Sequence, residues 1–422
     1  MRTVIVGAGP VGLLLALARA DRGDAVTVLE KDRPGTRTVM QFRHPHFFRP
    51  QVRQVLESSA PVAWQRLLDR GAVCAAIPGA PPFVSGIAAR RSVLEGAIRE
   101  VVDEDPRITV VNAEVTDIGH DGGRVTGVLA DRTEFPAELV LVAAGRTGTL
   151  GDAWRPATEG GPCGLSYVSR MYRYADGFDA FPSYFPMGAM GPGYLTIVFP
   201  QDDATLSALI VRATADKTMA GLRDNAAFER VVAAIPNTRP WTDPSTFRPI
   251  SDVMMGGLLT NTFRGQVTAG APTGVIFVGD AVGTTNPSAG RGVAIAFLQV
   301  QALLQALDAD QDLDAARSEF ADYCEREVRP WYEDHVLNDI WFAKRLLGEQ
   351  LPWDGPICSD LICDAALADP SIGEVVGAFR GMMVAPTALH AVEPIARAVY
   401  DGGWRPPLDG PDRDALAALI GG

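Results

Sequence analysis

Three glycines and one glutamate near the start of the chain have the types and spacing to bind a dinucleotide. Gly7-Ala8-Gly9-Pro10-Val11-Gly12 fits G-x-G-x-x-G, and Glu30 follows about 20 residues on. Gly7 permits a tight turn. Gly9 keeps side-chain atoms away from an approaching pyrophosphate. Gly12 lets a helix and a strand pack closely. The N-terminus of the helix that follows points unpaired N–H groups at the phosphates. Glu30 accepts hydrogen bonds from a ribose diol, with Lys31 beside it.

That chemistry works only if strand, turn, helix and strand follow in register. They do. Thr3-Val4-Ile5-Val6 is β-branched and reads as a buried parallel strand. Leu13 to Arg19 reads as a helix, and Ala25 to Leu29 as a second strand ending at Glu30. The alternative is a glycine-rich turn with no ligand, which needs neither the second strand nor the acid. A secretory leader is mimicked by Arg2, the apolar stretch and Ala18-Arg19-Ala20. Three glycines and a proline interrupt its apolar centre, and the leader reading is rejected.

Two later stretches have the same logic. Glu138 to Ala144 reads as a buried strand ending in Gly145-Arg146. Gly274 to Val278 reads as another, ending in Gly279-Asp280. Pro287, Gly290, Arg291 and Gly292 then lead into a long apolar helix from Val293 to about Leu307. A helix start there offers backbone N–H groups to negative charge. Asp280 either bonds a ligand or caps the next helix. Between these strands the texture changes. Ser166–Tyr172, Tyr194–Phe199 and Leu206–Val211 alternate and are aromatic-rich, as antiparallel strands would be.

At 422 residues the chain exceeds what one core supports, so two or more domains are expected. The boundaries read as 1–76 with 88–160 and 265–345 for the nucleotide domain, 77–87 with 161–264 for the inserted domain, and 346–422 for a helical C-terminal region. A net charge of −13 disfavours nucleic acid, whose phosphates need a basic surface. No apolar run approaching the roughly 18 residues of a membrane span is read. Five cysteines without C-x-x-C pairs point to reduced thiols and a cytoplasmic location, and no metal-ligand spacing is seen.

The order of the three glycine sites resembles the para-hydroxybenzoate-hydroxylase-like FAD monooxygenases, the group A flavoproteins, over roughly residues 1 to 345. Gln41-Phe42-Arg43-His44-Pro45-His46, Ser169-Arg170-Met171-Tyr172, and Arg329-Pro330-Trp331 with Asp339 are similar to stretches of bacterial natural-product FAD epoxidases and hydroxylases. The resemblance implies an α/β fold: a Rossmann-like GR2-type FAD-binding domain, an interleaved antiparallel β-rich substrate domain and a helical C-terminal part. It implies FAD on Gly7, Gly9, Pro10, Val11, Gly12, Glu30, Lys31, Arg53, Val115, Gly145, Gly279, Asp280, Pro287, Gly290, Arg291 and Gly292. It places Arg43, or a histidine, along the flavin ring. It implies NADPH or NADH as reductant, O2 as co-substrate and a flavin C4a-hydroperoxide that hydroxylates or epoxidises an apolar small molecule in secondary metabolism.

The family often has Asp-Gly where this chain has Ala144-Gly145, which leaves the reductant's site open. The W-x-W-x-I-P of flavin-dependent halogenases is absent. A dehydrogenase or reductase on the same fold is the alternative activity. No catalytic base is identified. Arg170, Tyr172, Phe185 and Tyr194 are expected to line the substrate pocket, Arg170 and Tyr172 sharing one strand face. The alternative for Arg170 is an ion pair with an acid. His44 and His46 either serve the site or pack locally.

Overall fold

The computed structural model describes residues 1–33, 42, 44–77, 84–175, 181, 183–268, 270–309 and 312–421. The expected domain crossing at Ile77–Pro82 lies mostly outside them.

Five strands form one parallel sheet in the order Val275–Phe277, Leu139–Val142, Arg2–Val6, Ala25–Glu30 and Ile108–Asn112. The first strand is central because its β-branched residues are buried between two neighbours. The helices Pro10–Asp21, Arg91–Glu104 and Gly292–Ala309 pack around this core. All five strands run the same way, so their C-terminal ends share one edge. Gly7, Glu30, Gly145 and Gly279 sit on or just past that edge.

The glycine turn is tightly built. Gly7 has a φ of +102°, and its N–H donates to the Leu29 carbonyl at 2.8 Å. A Cβ at Gly7 would stand 2.5 Å from the Ala143 carbonyl oxygen, and one at Gly12 only 1.9 Å from the Gly7 oxygen. A Cβ at Gly9 would meet nothing within 4 Å. One face of the motif is therefore packed to contact and the other is open.

The second sheet is antiparallel, in the order Met187–Gly191, Tyr194–Pro200, Thr205–Ala213, Leu165–Tyr174 and Phe247–Pro249, with Met254–Gly256 also on Leu165–Tyr174. One face packs on helix Asn225–Ala234, forming a core of its own. Two smaller antiparallel sheets were too short to read from sequence. One joins Phe47–Phe48, Ser85–Ala88 and Val73–Ala76. The other joins Glu159–Pro162, Thr260–Phe263 and Gly283–Thr284.

The C-terminal stretch divides. Helices Ser359–Ala365 and Glu393–Asp401 join the core of the parallel sheet, whereas Leu416 of Arg413–Gly421 is buried against the antiparallel one. Arg413 there pairs with Asp216 at 2.8 Å. One correction concerns apolar length. Helix Gly292–Ala309 has 18 residues and passes the length and hydropathy of a membrane span. Half of it is buried, including Phe297, Val300 and Leu303, and it packs on Pro10–Asp21 and Pro50–Ser59.

The glycine geometry separates two substitutions. Gly12→Ala should lower the melting temperature, because overpacking costs about 1–3 kcal/mol. Gly9→Ala, at a φ of −73° with open space ahead, should leave the FAD-free protein's melting temperature unchanged. Differential scanning fluorimetry of the two variants checks this.

Candidate functional site

A cavity of about 370 Å³ opens where the parallel sheet's C-terminal edge meets the second sheet. Gly9, Pro10, Val11, Gly145, Asp280, Pro287, Gly290 and Gly292 all line it. Residues read separately from three parts of the sequence thus come together. At the other end of the same edge, Glu30 accepts N–H bonds from Ala8 at 2.7 Å and Asp32 at 3.0 Å. The carboxylate therefore lies against the glycine turn. Asn112 donates to the Glu30 carbonyl at 2.7 Å, beside exposed Lys31.

Asp280 follows Gly279, whose φ is +72° and whose N–H donates to Gln299 Oε1 at 2.9 Å. The Asp280 carboxylate has no hydrogen bond among the described residues, so it is not a helix cap. It is exposed, and it lines the cavity. Desolvation pushes its pKa up, while Arg91 and Arg146 pull it down. A cavity-lining carboxylate with unfilled acceptor capacity suits a ligand hydroxyl.

The loop before the apolar helix is held from two sides. Asn286 caps it, accepting the Ser288 N–H at 2.8 Å. Arg49 Nε donates to the Ala289 carbonyl at 3.1 Å. Arg49 is buried among cations, and desolvation with Arg291 and Arg380 pushes its pKa down to about 9. On the far side, Asn261 donates to Asp339 at 2.6 Å, Asn286 donates to the same oxygen, and the Asn286 N–H donates to Asn261 at 2.7 Å. Burial pushes the Asp339 carboxyl up to about 7, and Oδ1 has no partner. The segment that resembles the family's C-terminal helix thus braces the loop.

The apolar wall consists of Phe47, Phe48, Tyr167, Phe185, Ile197 and Phe199. His44 and His46 line it too. His44 Nδ1 bonds Ser169 Oγ at 2.9 Å, and its ring meets Tyr167 edge-on at 4.7 Å. His46 Nδ1 donates to the His44 carbonyl at 3.0 Å. Burial pushes them down to about 4 and about 3, so both are neutral at pH 7.

Several expected site residues lie elsewhere. Arg170 and Tyr172 share a face, but it is the face against helix Asn225–Ala234. Both donate to Glu229 Oε1 at 2.7 Å, so the acid-pair alternative for Arg170 is the observed one. Tyr167 and Ser169, one step out of phase, face the cavity side. Tyr194 is fully buried in the sheet's other core and donates to the Pro411 carbonyl at 3.2 Å. Of the four substrate candidates only Phe185 lines the cavity. Arg53 is turned away, bonding Glu57 at 2.8 Å and Ser85 at 2.5 Å. The Arg291 side chain pairs with Asp334 at 2.9 Å and lies 4.7 Å from both the Trp331 and Phe379 rings, which stack on each other, so only its backbone is left at the loop. Val115 begins a strand paired with Arg124–Ala130, outside the cavity wall. Arg43 lies outside the described residues. Arg49 and Arg91 line the cavity and were missed. Each stands at a helix start, which is a weak signal without the fold.

No family model matches this chain. It is 29% identical over 433 residues to Protein Rv3254 of Mycobacterium tuberculosis, covering 88% of this chain and 87% of that one. It is 27% identical to the chloroplastic zeaxanthin epoxidase of Oryza sativa subsp. japonica over 165 residues, 34% of this chain and 25% of that one. Among solved structures, the flavin-dependent brominase Bmp2 matches with a TM-score of 0.63 at 15% identity, over 96% of this chain and all of that one. PqsL, a probable FAD-dependent monooxygenase from Pseudomonas aeruginosa, matches with 0.62 at 15%, covering 82% and 98%. At these identities the likeness establishes the fold. The chain shares the α/β fold of Bmp2 and PqsL, and an α/β fold is what the sequence resemblance implied.

Two substitutions test the site. Asp280→Ala should weaken FAD retention tenfold to a hundredfold, since a charge-assisted hydrogen bond contributes about 1.5–3 kcal/mol. Flavin remaining after dialysis measures it. Asp339 is raised in the folded state above its ordinary value near 4. Its contribution is favourable at low pH and is lost as pH rises through about 7. Asp339→Asn, which imitates the neutral acid, should therefore raise the melting temperature more at pH 8 than at pH 5.

Proposed function

We propose that this chain is an FAD-dependent monooxygenase that takes electrons from NADPH or NADH and uses O2 to hydroxylate or epoxidise an apolar small molecule. The observation that carries this reading is a single cavity with two chemistries. One wall is a glycine-turn edge with an unpartnered carboxylate and a helix start, and the other is a set of aromatic rings. The residues fit FAD: the open side of Gly9 suits a pyrophosphate, and Asp280 suits a ribityl hydroxyl. Bound FAD would supply the hydride-accepting and oxygen-activating chemistry.

The chain's own contribution is position, charge and dryness. The start of helix Pro10–Asp21 would hold the pyrophosphate on backbone N–H groups. The backbone of Gly290 to Gly292, at the start of helix Gly292–Ala309, would offer positive charge to a bound flavin. Phe47, Phe185 and Phe199 hold an apolar substrate and displace water. His44 and His46, uncharged at pH 7, add hydrogen-bonding capacity without placing a cation among the rings. The likeness to a probable FAD-dependent monooxygenase and to part of a zeaxanthin epoxidase supports oxygen transfer. Five free thiols support a reducing, cytoplasmic setting.

The rival is an FAD-dependent dehydrogenase or reductase using the same cavity. Incubation with NADPH or NADH, a panel of apolar metabolites and ¹⁸O2 separates them. Substrate-stimulated NAD(P)H oxidation with labelled oxygen in the product is the expected result. Oxidised product without label would assign a dehydrogenase.

A further inference from the structure

A second cavity of about 370 Å³ adjoins the first, sharing Gly145, Arg146, Thr260 and Asp280 with it. Its chemistry is the opposite. Arg146, Arg155 and Arg264 line it, and Asp280 is its one acid. The chain as a whole has a net charge of −13, so this is a local reversal of sign. Thr147, Thr158, Thr260 and Thr262 add four hydroxyls, none hydrogen-bonded among the described residues.

The three arginines are not equivalent. Arg155 is 8% exposed, and its guanidinium lies 4.1 Å over the Phe277 ring. It donates to the Gly265 carbonyl at 3.1 Å and to the Ala281 carbonyl, but its Nε has no partner. Burial, with Arg264 nearby, pushes its pKa down to about 10. Arg264 pairs with Asp152 at 2.6 Å. Arg146 has no hydrogen bond or ion pair among the described residues, and it lines both cavities. Arg155 is a buried cation whose hydrogen bonds among the described residues go only to backbone carbonyls, which is costly, and a ligand anion relieves that cost; Arg146 is exposed and adds its charge beside it.

We infer that this second cavity is an oxyanion site, taking a phosphate or carboxylate group of a ligand whose other end reaches the first cavity. Arg146 and Arg155 supply charge, and the threonine hydroxyls supply further donors. The anion has two possible sources: the pyrophosphate of a nicotinamide dinucleotide, or a carboxylate on the organic substrate. Assignment to the reductant rests on the monooxygenase reading, whereas the anion site itself does not.

Isothermal titration of the FAD-loaded protein with inorganic pyrophosphate, and separately with benzoate, at low ionic strength tests it. Arg146→Gln is the primary variant, because the residue is exposed and unpartnered and its loss leaves the fold intact. Arg264→Gln is the second. A tenfold or greater weakening of pyrophosphate binding, with a matching rise in the KM for NADPH, supports the site and assigns the reductant. The same weakening for benzoate alone supports the site and assigns a carboxylate substrate. Equal affinities in parent and variants for both anions, or no saturable binding of either by the parent, overturns it. Absence of ¹⁸O transfer with arginine-dependent anion binding intact would sink the monooxygenase reading and leave the anion site standing.

Discussion

The fold depends on a contact that leaves no room for a methyl group. At Gly12 the first helix presses against the turn, where a Cβ would come within 1.9 Å of the Gly7 oxygen. That approach sets the helix start over the edge of the parallel sheet. Gly7 in turn packs against the strand ending at Ala143, so two strands and a helix are fixed by two missing side chains. Because every strand of the sheet is parallel, Glu30, Gly145 and Asp280 arrive at the same edge. Ligands of open α/β sheets bind at that edge for the same reason.

The opposite wall of the cavity is secured by polar groups that do not favour stability by themselves. Arg49 and Asp339 are both buried, and both are driven towards their neutral forms. Neither is placed for packing alone. Each terminates on the 286–290 loop, one on the Ala289 carbonyl and the other on Asn286. Arg291, against the Trp331 ring and paired with Asp334, ties the loop's end to the same helix that carries Asp339. Such buried charges cost desolvation, and here they define where a loop sits. The loop's geometry is thus linked to Trp331 and Asp339, far along the chain.

The antiparallel sheet serves two cores. Strand Leu165–Tyr174 buries Arg170 and Tyr172 against helix Asn225–Ala234, while Tyr167 and Ser169 meet His44 on the cavity side. A shift of one residue exchanges these faces. Alternation reveals two faces of a strand but does not say which one meets the ligand. Aromatic content misleads here, because Tyr172 and Tyr194 fill the core rather than the cavity.

The sequence by itself determined the parallel-sheet framework and the glycine positions around the cavity. Those features are local: a β-branched run, a turn that tolerates no Cβ and an apolar helix each leave a contiguous signature. It also carried the second sheet's main strands, through their alternation. What only the tertiary structure decided is which side chains meet across distance. Arg53 and Arg291 have the right types near the right elements, yet nearer carboxylates capture them. Arg49 and Arg91 reach the cavity instead, from positions that carry no motif. Short strands such as Phe47–Phe48 form because partners exist, not because two residues prefer them. Long-range pairing of charges and rings depends on the packing of several elements at once, and a spacing pattern holds no record of that.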